Sequence, residues 1–177
     1  MFSLNVPLPP SVDRISADLH PKLTGFDRVR ERHTLVAKRF GVDDVGGSGH
    51  GRPRTDVALA TLRDDLRPLL EGIGPFDLTI RRIDAFETPA QGPGPVVYLA
   101  VESDTLVRLH RRLCAAFDAV DGIEGDAYVP HVTLARGGDP SALEPLLETA
   151  IDPIEWRTHE LAVYDPEFRE IAERIRI

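Results

Sequence analysis

Two of the six histidines, the side chains that move protons at neutral pH, stand in short segments that read as strands and carry a threonine beside them. One is Tyr128-Val129-Pro130-His131-Val132-Thr133-Leu134-Ala135-Arg136; the other is Arg32-His33-Thr34-Leu35-Val36-Ala37-Lys38. An imidazole titrates near pH ~6.5, so at neutral pH it serves as base or acid. Two of them flanking a phosphodiester divide the work: the neutral ring takes a proton from water, and the protonated ring gives one to the departing sugar oxygen. A threonine hydroxyl beside them hydrogen-bonds a non-bridging phosphate oxygen and stabilises charge there. This chemistry calls for no metal and no cofactor, and no histidine pair has His-Glu-x-x-His or similar ligand spacing.

Strand parity decides which residues share a face. On an extended strand, His131 and Thr133 lie on one side, about 7 Å apart, while Val132 and Leu134 face the other. In the first segment the hydroxyl follows the histidine directly. Alternation therefore puts Leu35 beside His33 and turns Thr34 to the opposite face, unless a bulge brings it back. His33 and His131 are the expected catalytic residues and Thr133 the expected phosphate ligand. Thr34 is a weaker candidate.

The elements that must position these segments follow from periodicity. Leu4, Val6 and Leu8 alternate as a strand over 2–8, and Val12, Ile15, Leu19, Leu23 and Phe26 mark a helix for which Ser11 is a candidate cap. His33 to Phe40 reads as a strand. Glycines crowd residues 41–55, a loop that includes His50 and lacks the Lys-Ser/Thr pair of a P-loop. Leu59, Leu62, Leu66, Leu69, Leu70 and Ile73 predict a helix, and Phe76 to Phe86 a strand running through Arg81-Arg82. After the Pro/Gly-rich stretch 89–95 the order begins again. Val96 to Val101 is a buried strand, Leu106 to Val120 an amphipathic helix, and Ala127 to Ala135 a strand. A short helix at Ala142 to Thr149 and strands at Glu155 to Tyr164 and Phe168 to Ile177 complete the chain. The two histidine halves, about 1–88 and 95–177, thus repeat strand, helix and histidine strand, with exchange of strands between lobes left open.

The paired segments resemble the two His-x-Thr/Ser motifs of the two-histidine (2H) phosphoesterase superfamily. Within it the chain is most similar to the archaeal and bacterial 2′-5′ RNA ligase and RNA 2′,3′-cyclic phosphodiesterase family. His131-Val132-Thr133-Leu134 matches the second motif in full; the first matches at His33, with Leu35 where the family has Thr or Ser. The resemblance implies an α+β, bilobal fold: two pseudo-symmetric lobes, antiparallel sheets lining a central cleft, helices outside. It implies hydrolysis of a terminal 2′,3′-cyclic phosphate or related 2′-linked nucleotide, with reversible 2′-5′ ligation, and an RNA end or small cyclic nucleotide as partner. Arg136, five residues after the second histidine, matches a phosphate-holding arginine of the family. That role requires the strand to end or twist, because strict alternation points Arg136 away from His131. The departure at Leu35 keeps a second reading open, a non-catalytic RNA or nucleotide binder that retains the cleft.

Composition bounds the rest. The 177 residues carry a net charge of −8 and only two lysines, Lys22 and Lys38. The acid excess fits a surface adapted to high salt; a genome that favours arginine codons explains the scarce lysine equally well. Acidity argues against a broad nucleic-acid groove but leaves room for a small basic pocket, fed by Arg28, Arg30, Arg32, Lys38 and Arg39. No apolar run is long enough to span a bilayer. The start of the chain does not read as a secretory signal, no obligate protein partner is evident, and the single cysteine, Cys114, fits a reducing cytoplasm.

Overall fold

The computed structural model describes residues 2–41, 44 and 55–177. The glycine-rich segment with His50 lies outside the described residues, except for Gly41, Asp44 and the backbone of Thr55. β1 (Phe2–Val6) leads into α1 (Pro10–Leu23). Pro10 suits the first helical turn, where its missing N–H is not needed and its φ is already set. Pro9 takes the cap position and no side chain caps, so Ser11 does not play the expected part. The buried stripe is Val12, Ser16, Leu19 and Leu23, at spacings of four, three and four.

β2 (Arg28–Val29) and β3 (Leu35–Phe40) follow, then α2 (Thr55–Leu70), which buries Ala58, Leu62, Leu66 and Leu70. β4 (Phe76–Phe86) runs through Arg81-Arg82 as the sequence predicts. β5 (Val96–Glu102) has six consecutive buried residues, as expected of a central strand covered on both faces. α3 (Asp104–Cys114) is capped by Ser103, whose hydroxyl accepts from the Leu106 N–H at 3.3 Å. β6 (His131–Arg136), α4 (Glu144–Leu147), β7 (Ile154–Thr158), β8 (Glu160–Asp165) and β9 (Glu170–Arg176) complete the order. Several boundaries differ from the sequence pattern: α3 ends at Cys114 where the pattern runs to Val120, and β3 starts at Leu35 where it runs from His33. The strand expected from Ala127 starts only at His131. The strand expected over Glu155 to Tyr164 breaks at His159 into β7 and β8, which go to opposite parts of the sheet.

The sheet is antiparallel, with the order β7-β4-β5-β6-β3-β1-β8-β9 and β2 beside β6. Its two halves, β7-β4-β5-β6 and β3-β1-β8-β9, meet at one bridging pair, Leu35 with Val132. β4 precedes the mid-chain Pro/Gly stretch yet pairs with β5, while the late strand β8 pairs with β1. Each half of the sheet thus takes in strands from the other half of the sequence. α1 and α3 pack behind the sheet, α1 against β6 and α3 against β3. One core runs through both halves and includes Leu4, Leu35, Leu99, Val132 and Leu134. Leu35 and Leu134 are both fully buried. Truncating either to Ala leaves a cavity and costs about 2–5 kcal/mol. Among the described residues no helix is long and apolar enough to cross a membrane.

Candidate active site

Both motif strands carry a bulge at the same place. In β3, Leu4 pairs with Lys38 and Asn5 with Val36, so Ala37 is the extra residue. In β6, Val97 pairs with Ala135 and Tyr98 with Thr133, so Leu134 is the extra residue. A bulge shifts parity by one and returns the next side chains to the opposite face. Aligning the bulges superposes Thr34 on His131, Val36 on Thr133 and Arg39 on Arg136. The bridge between the halves joins Leu35 to Val132, and these two are themselves equivalent in that alignment. The flanking strands agree: Phe86 pairs with Val96 as Tyr164 pairs with Ser3, one residue before Val97 and Leu4 respectively.

In front of the bridge lies a cleft of about 1000 Å³. His131, Thr133 and Arg136 line it from β6, with Phe86 beside them. Thr34, Val36 and Arg39 line it from β3, with Tyr164 beside them. The expected facing pair of histidines is not formed. His33 is on the other face of its strand, toward α1. Its Nδ1–H donates to Asp13 Oδ1 at 2.9 Å, and Nε2 shares a hydrogen bond of 2.9 Å with the Ser16 hydroxyl. Asp13 and Ser16 are three residues apart on α1, so one imidazole ties that helix to the entry of β3. The physical reason is parity. His33, Leu35 and Ala37 alternate onto the core face, just as Val132 and Leu134 do in β6, and the residue that shares the cleft face with Val36 is Thr34. Alternation separates His33 from Thr34 as expected; the assignment of His33 to the cleft, drawn from the repeated histidine strands, is what the structure corrects.

The Arg136 expectation meets the opposite outcome. Strict alternation would turn it away, but the bulge at Leu134 brings it back beside Thr133. Its Nε is buried without a protein hydrogen-bond partner among the described residues. Burial first, then the positive charge of Arg30 and Arg28, press its pKa down from the ordinary value. An arginine stays charged through such a shift, so its Nε–H is a charged donor open to an anion. Gly92, at φ 72°, lets the 88–95 loop close over it; a Cβ there would sit 2.5 Å from Arg136 Nη1.

His131 is held in one tautomer. A carbonyl only accepts, so the 2.7 Å contact from Nδ1 to Val129 O fixes the proton on Nδ1 and leaves Nε2 as the free lone pair. Phe86 meets the ring edge-on at 5.2 Å and Tyr98 packs at 5.1 Å. Burial lowers the His131 pKa; the Val129 hydrogen bond opposes that, while Arg39 and Arg136 add to it. The ring is therefore neutral at neutral pH and suited to accept a proton.

Sequence reasoning missed the support beneath β3. Past the bridge, β3 diverges from β6, and side chains take over where strand pairing ends. Tyr128 Oη donates to Val36 O at 2.8 Å, His110 Nδ1–H to Ala37 O at 2.7 Å, and the Arg39 N–H to Glu124 Oε1 at 2.8 Å. Lys38 Nζ, fully buried, reaches Arg39 O, Asp118 O at 2.7 Å and Glu124 Oε2 at 2.8 Å. Burial alone would raise the Glu124 pKa. Hydrogen bonds from Lys38 and from the Val120 and Arg39 N–H groups outweigh it and hold the carboxyl below its ordinary value. The ring of His110 stacks on Tyr128 at 3.7 Å. Lys38 is thus a buried structural cation, not the cleft-mouth charge expected of it. Arg30, Arg32 and Arg39 do line the cleft, with Arg169 from the β8–β9 turn, and no Asp or Glu among the described residues lines it.

The sequence profile of the 2′-5′ RNA ligase superfamily matches residues 48–167. The chain belongs to that superfamily, and with it to the phosphoesterase and ligase class of enzymes. Three solved structures share the fold. TT0787 of Thermus thermophilus is 20% identical, with a TM-score of 0.61 over 99% of this chain and 96% of that one. E. coli LigT, solved in complex with 3′-AMP, is 14% identical, with a TM-score of 0.57 over 99% and 94%. A third protein, described as a phosphoesterase, is 16% identical, with a TM-score of 0.58 over 99% and 97%. No curated protein matches the chain by sequence.

Proposed function

We propose that this protein is a phosphodiesterase of nucleotide and RNA ends in which one histidine, His131, does the proton transfer. The observation that carries the reading is the fixed tautomer: Nδ1–H donates to Val129 O, so a neutral Nε2 is presented beside Thr133 and the unpaired Arg136. On a 2′,3′-cyclic phosphate, Nε2 takes a proton from water as its oxygen bonds to phosphorus. The ring bond to one sugar oxygen breaks, and the same imidazole returns the proton to that oxygen. Arg136 and the Thr133 hydroxyl hold the charge that develops on the non-bridging oxygens. Reversal of these steps with a sugar hydroxyl in place of water is 2′-5′ ligation. The RNA-end substrate rests on the superfamily, and the complex of LigT with 3′-AMP supports a nucleotide as ligand. The residues named need no metal, and the lone thiol, Cys114, suits the cytoplasm.

Thr34 in the place equivalent to His131 favours a second reading, a binder of nucleotide ends that has given up catalysis. The two separate on one experiment: incubation with an oligonucleotide ending in a 2′,3′-cyclic phosphate, with the product's phosphate position determined. Ring opening by the wild type and not by His131→Ala supports the enzyme. Binding of the oligonucleotide without ring opening supports the binder.

A further inference from the structure

We infer that the β3 side of the cleft is a second nucleotide subsite, where Tyr164 and Arg39 hold the base and phosphate of the residue that adjoins the one at His131. The inference deepens the proposed reading and rests on it for the first subsite.

The argument starts from what the two halves have kept and lost. In register, Phe86 corresponds to Tyr164, His131 to Thr34, Thr133 to Val36 and Arg136 to Arg39, and all of them line the one cleft. The β3 half has lost the imidazole and the second hydroxyl, the groups that move protons or hold developing charge. It has kept an aromatic ring and an arginine. Those are the groups that hold a nucleotide at rest: a ring face stacks on any base, and a guanidinium forks onto a phosphate.

Arg39 is built to stay in place. Its N–H donates to buried Glu124, its carbonyl accepts from buried Lys38, and its guanidinium lies 3.7 Å from Glu124 Oε1. The side chain is still 34% exposed, so its outer face is open to the cleft. Arg32 Nη1 donates to Arg169 O at 2.8 Å and draws the β8–β9 turn toward this side. Arg30, Arg32, Arg39 and Arg169 thus add to Arg136 in a cleft without a lining carboxylate among the described residues. One phosphate is well served by one or two of them. Arg39 has buried Glu124 behind it, whereas surface arginines sit against exposed carboxylates, Arg157 against Asp77 at 3.1 Å and Arg81 against Glu155 at 3.1 Å. The cleft's volume, about 1000 Å³, is at the top of the range that encloses a single small ligand, which leaves room for a second nucleotide.

The test is calorimetric titration of the full chain with 3′-AMP and with the dinucleotide ApAp, which adds one base and one phosphate. ApAp should bind at least about tenfold tighter, the return expected of one charged hydrogen bond. Arg39→Ala and Tyr164→Ala should each bring that ratio close to one. Tyr164 is on a different strand from the Glu124 network, so it carries the test should Arg39→Ala fold poorly; Arg39→Gln is a milder alternative. Equal affinities in the wild type, a ratio that survives both substitutions, or no binding of either ligand overturns the inference. Turnover is measured separately. An Arg39-dependent preference for ApAp without ring opening sinks the proposed chemistry and keeps the subsite; ring opening with a ratio of one does the reverse.

Discussion

The two motif strands are the same structure with different chemistry. β3 and β6 bulge at matching residues, bury Leu35 and Val132 at matching places, and carry Arg39 and Arg136 at matching places. Yet β6 carries an imidazole where β3 carries Thr34, and a hydroxyl where β3 carries Val36. Their supports differ too. β6 lies between β5 and the bridge to β3, whereas β3 beyond the bridge is held by Tyr128, His110, Lys38 and Glu124. A repeated fold therefore does not imply a repeated function. The backbone duplicates the places, and the side chains that fill them differ.

The largest expected effect breaks the comparison if it fails. His131→Ala should lower kcat on a 2′,3′-cyclic phosphate by about 10²–10⁴-fold, the usual contribution of a positioned acid–base group. His33→Ala should lower it by less than about tenfold, because its ring serves Asp13 and Ser16 on the helix side. It should instead lower stability by about 1–3 kcal/mol in urea, through the partner left unsatisfied. Equal losses of kcat in the two variants would mean that His33 reaches the substrate after all.

How much of this was legible in the sequence depends on the residue. The strand of His131 was, because Val132 and Leu134 are apolar on one parity and His131 and Thr133 polar on the other. The order of elements was too, since each helix carries its stripe. His33 was not, because Val36 is apolar like Leu35 and Ala37, so both faces of that strand read as core. One signal was available. Matching Leu35 to Val132 by their places in the two buried runs sets Thr34, not His33, opposite His131. The bulges that return Arg39 and Arg136 to the cleft leave no local mark in sequence, as neither Ala37 nor Leu134 is a glycine. The fate of Lys38 was hidden because its partner, Glu124, is 86 residues away. Pairings at that range are set by the sheet, not by local pattern.

Next in size is the support of β3. Lys38→Met removes the fully buried cation nearest Glu124 and leaves the carboxylate with the more distant Arg39 guanidinium and two backbone N–H groups, which should cost about 3–5 kcal/mol in urea unfolding. Because Glu124 also holds the Arg39 backbone, the same variant should weaken ApAp binding beyond its effect on 3′-AMP. A variant as stable as the wild type would show that β3 does not depend on this pair.

The threonines sharpen the contrast on a smaller scale. Thr133→Ala should cost about 2.7–4 kcal/mol of transition-state stabilisation if it acts as an oxyanion donor. Thr34→Ala should cost about 1 kcal/mol, that of an ordinary hydrogen bond to bound substrate. The measurement is kcat/KM for both on one cyclic-phosphate substrate. Equal losses would restore a symmetric role for the two strands.

The smallest expected effect is in shape more than size. Burial depresses the His131 pKa, so the ring is neutral above that value and protonated below it. A general base works only when neutral. kcat/KM should therefore fall as pH drops below the ordinary histidine range near ~6.5 and stay level on the alkaline side. Stability carries the same sign. The folded pKa lies below the unfolded one, so below pH ~6.5 the unfolded chain binds the proton first and stability declines; His110, depressed by its own burial, adds to that loss. A two-histidine enzyme behaves otherwise, since one ring must be charged and its profile falls on both sides. Thr34→His, combined with Val36→Thr, places an imidazole and a hydroxyl at the positions equivalent to His131 and Thr133. If the register argument is right, the double variant should gain an alkaline limb and become bell-shaped, with Arg39 and Arg136 unchanged beside it. The profile of kcat/KM against pH for wild type and double variant decides the matter. A wild type that is already bell-shaped would point to a second titrating group in the cleft and end the single-histidine reading.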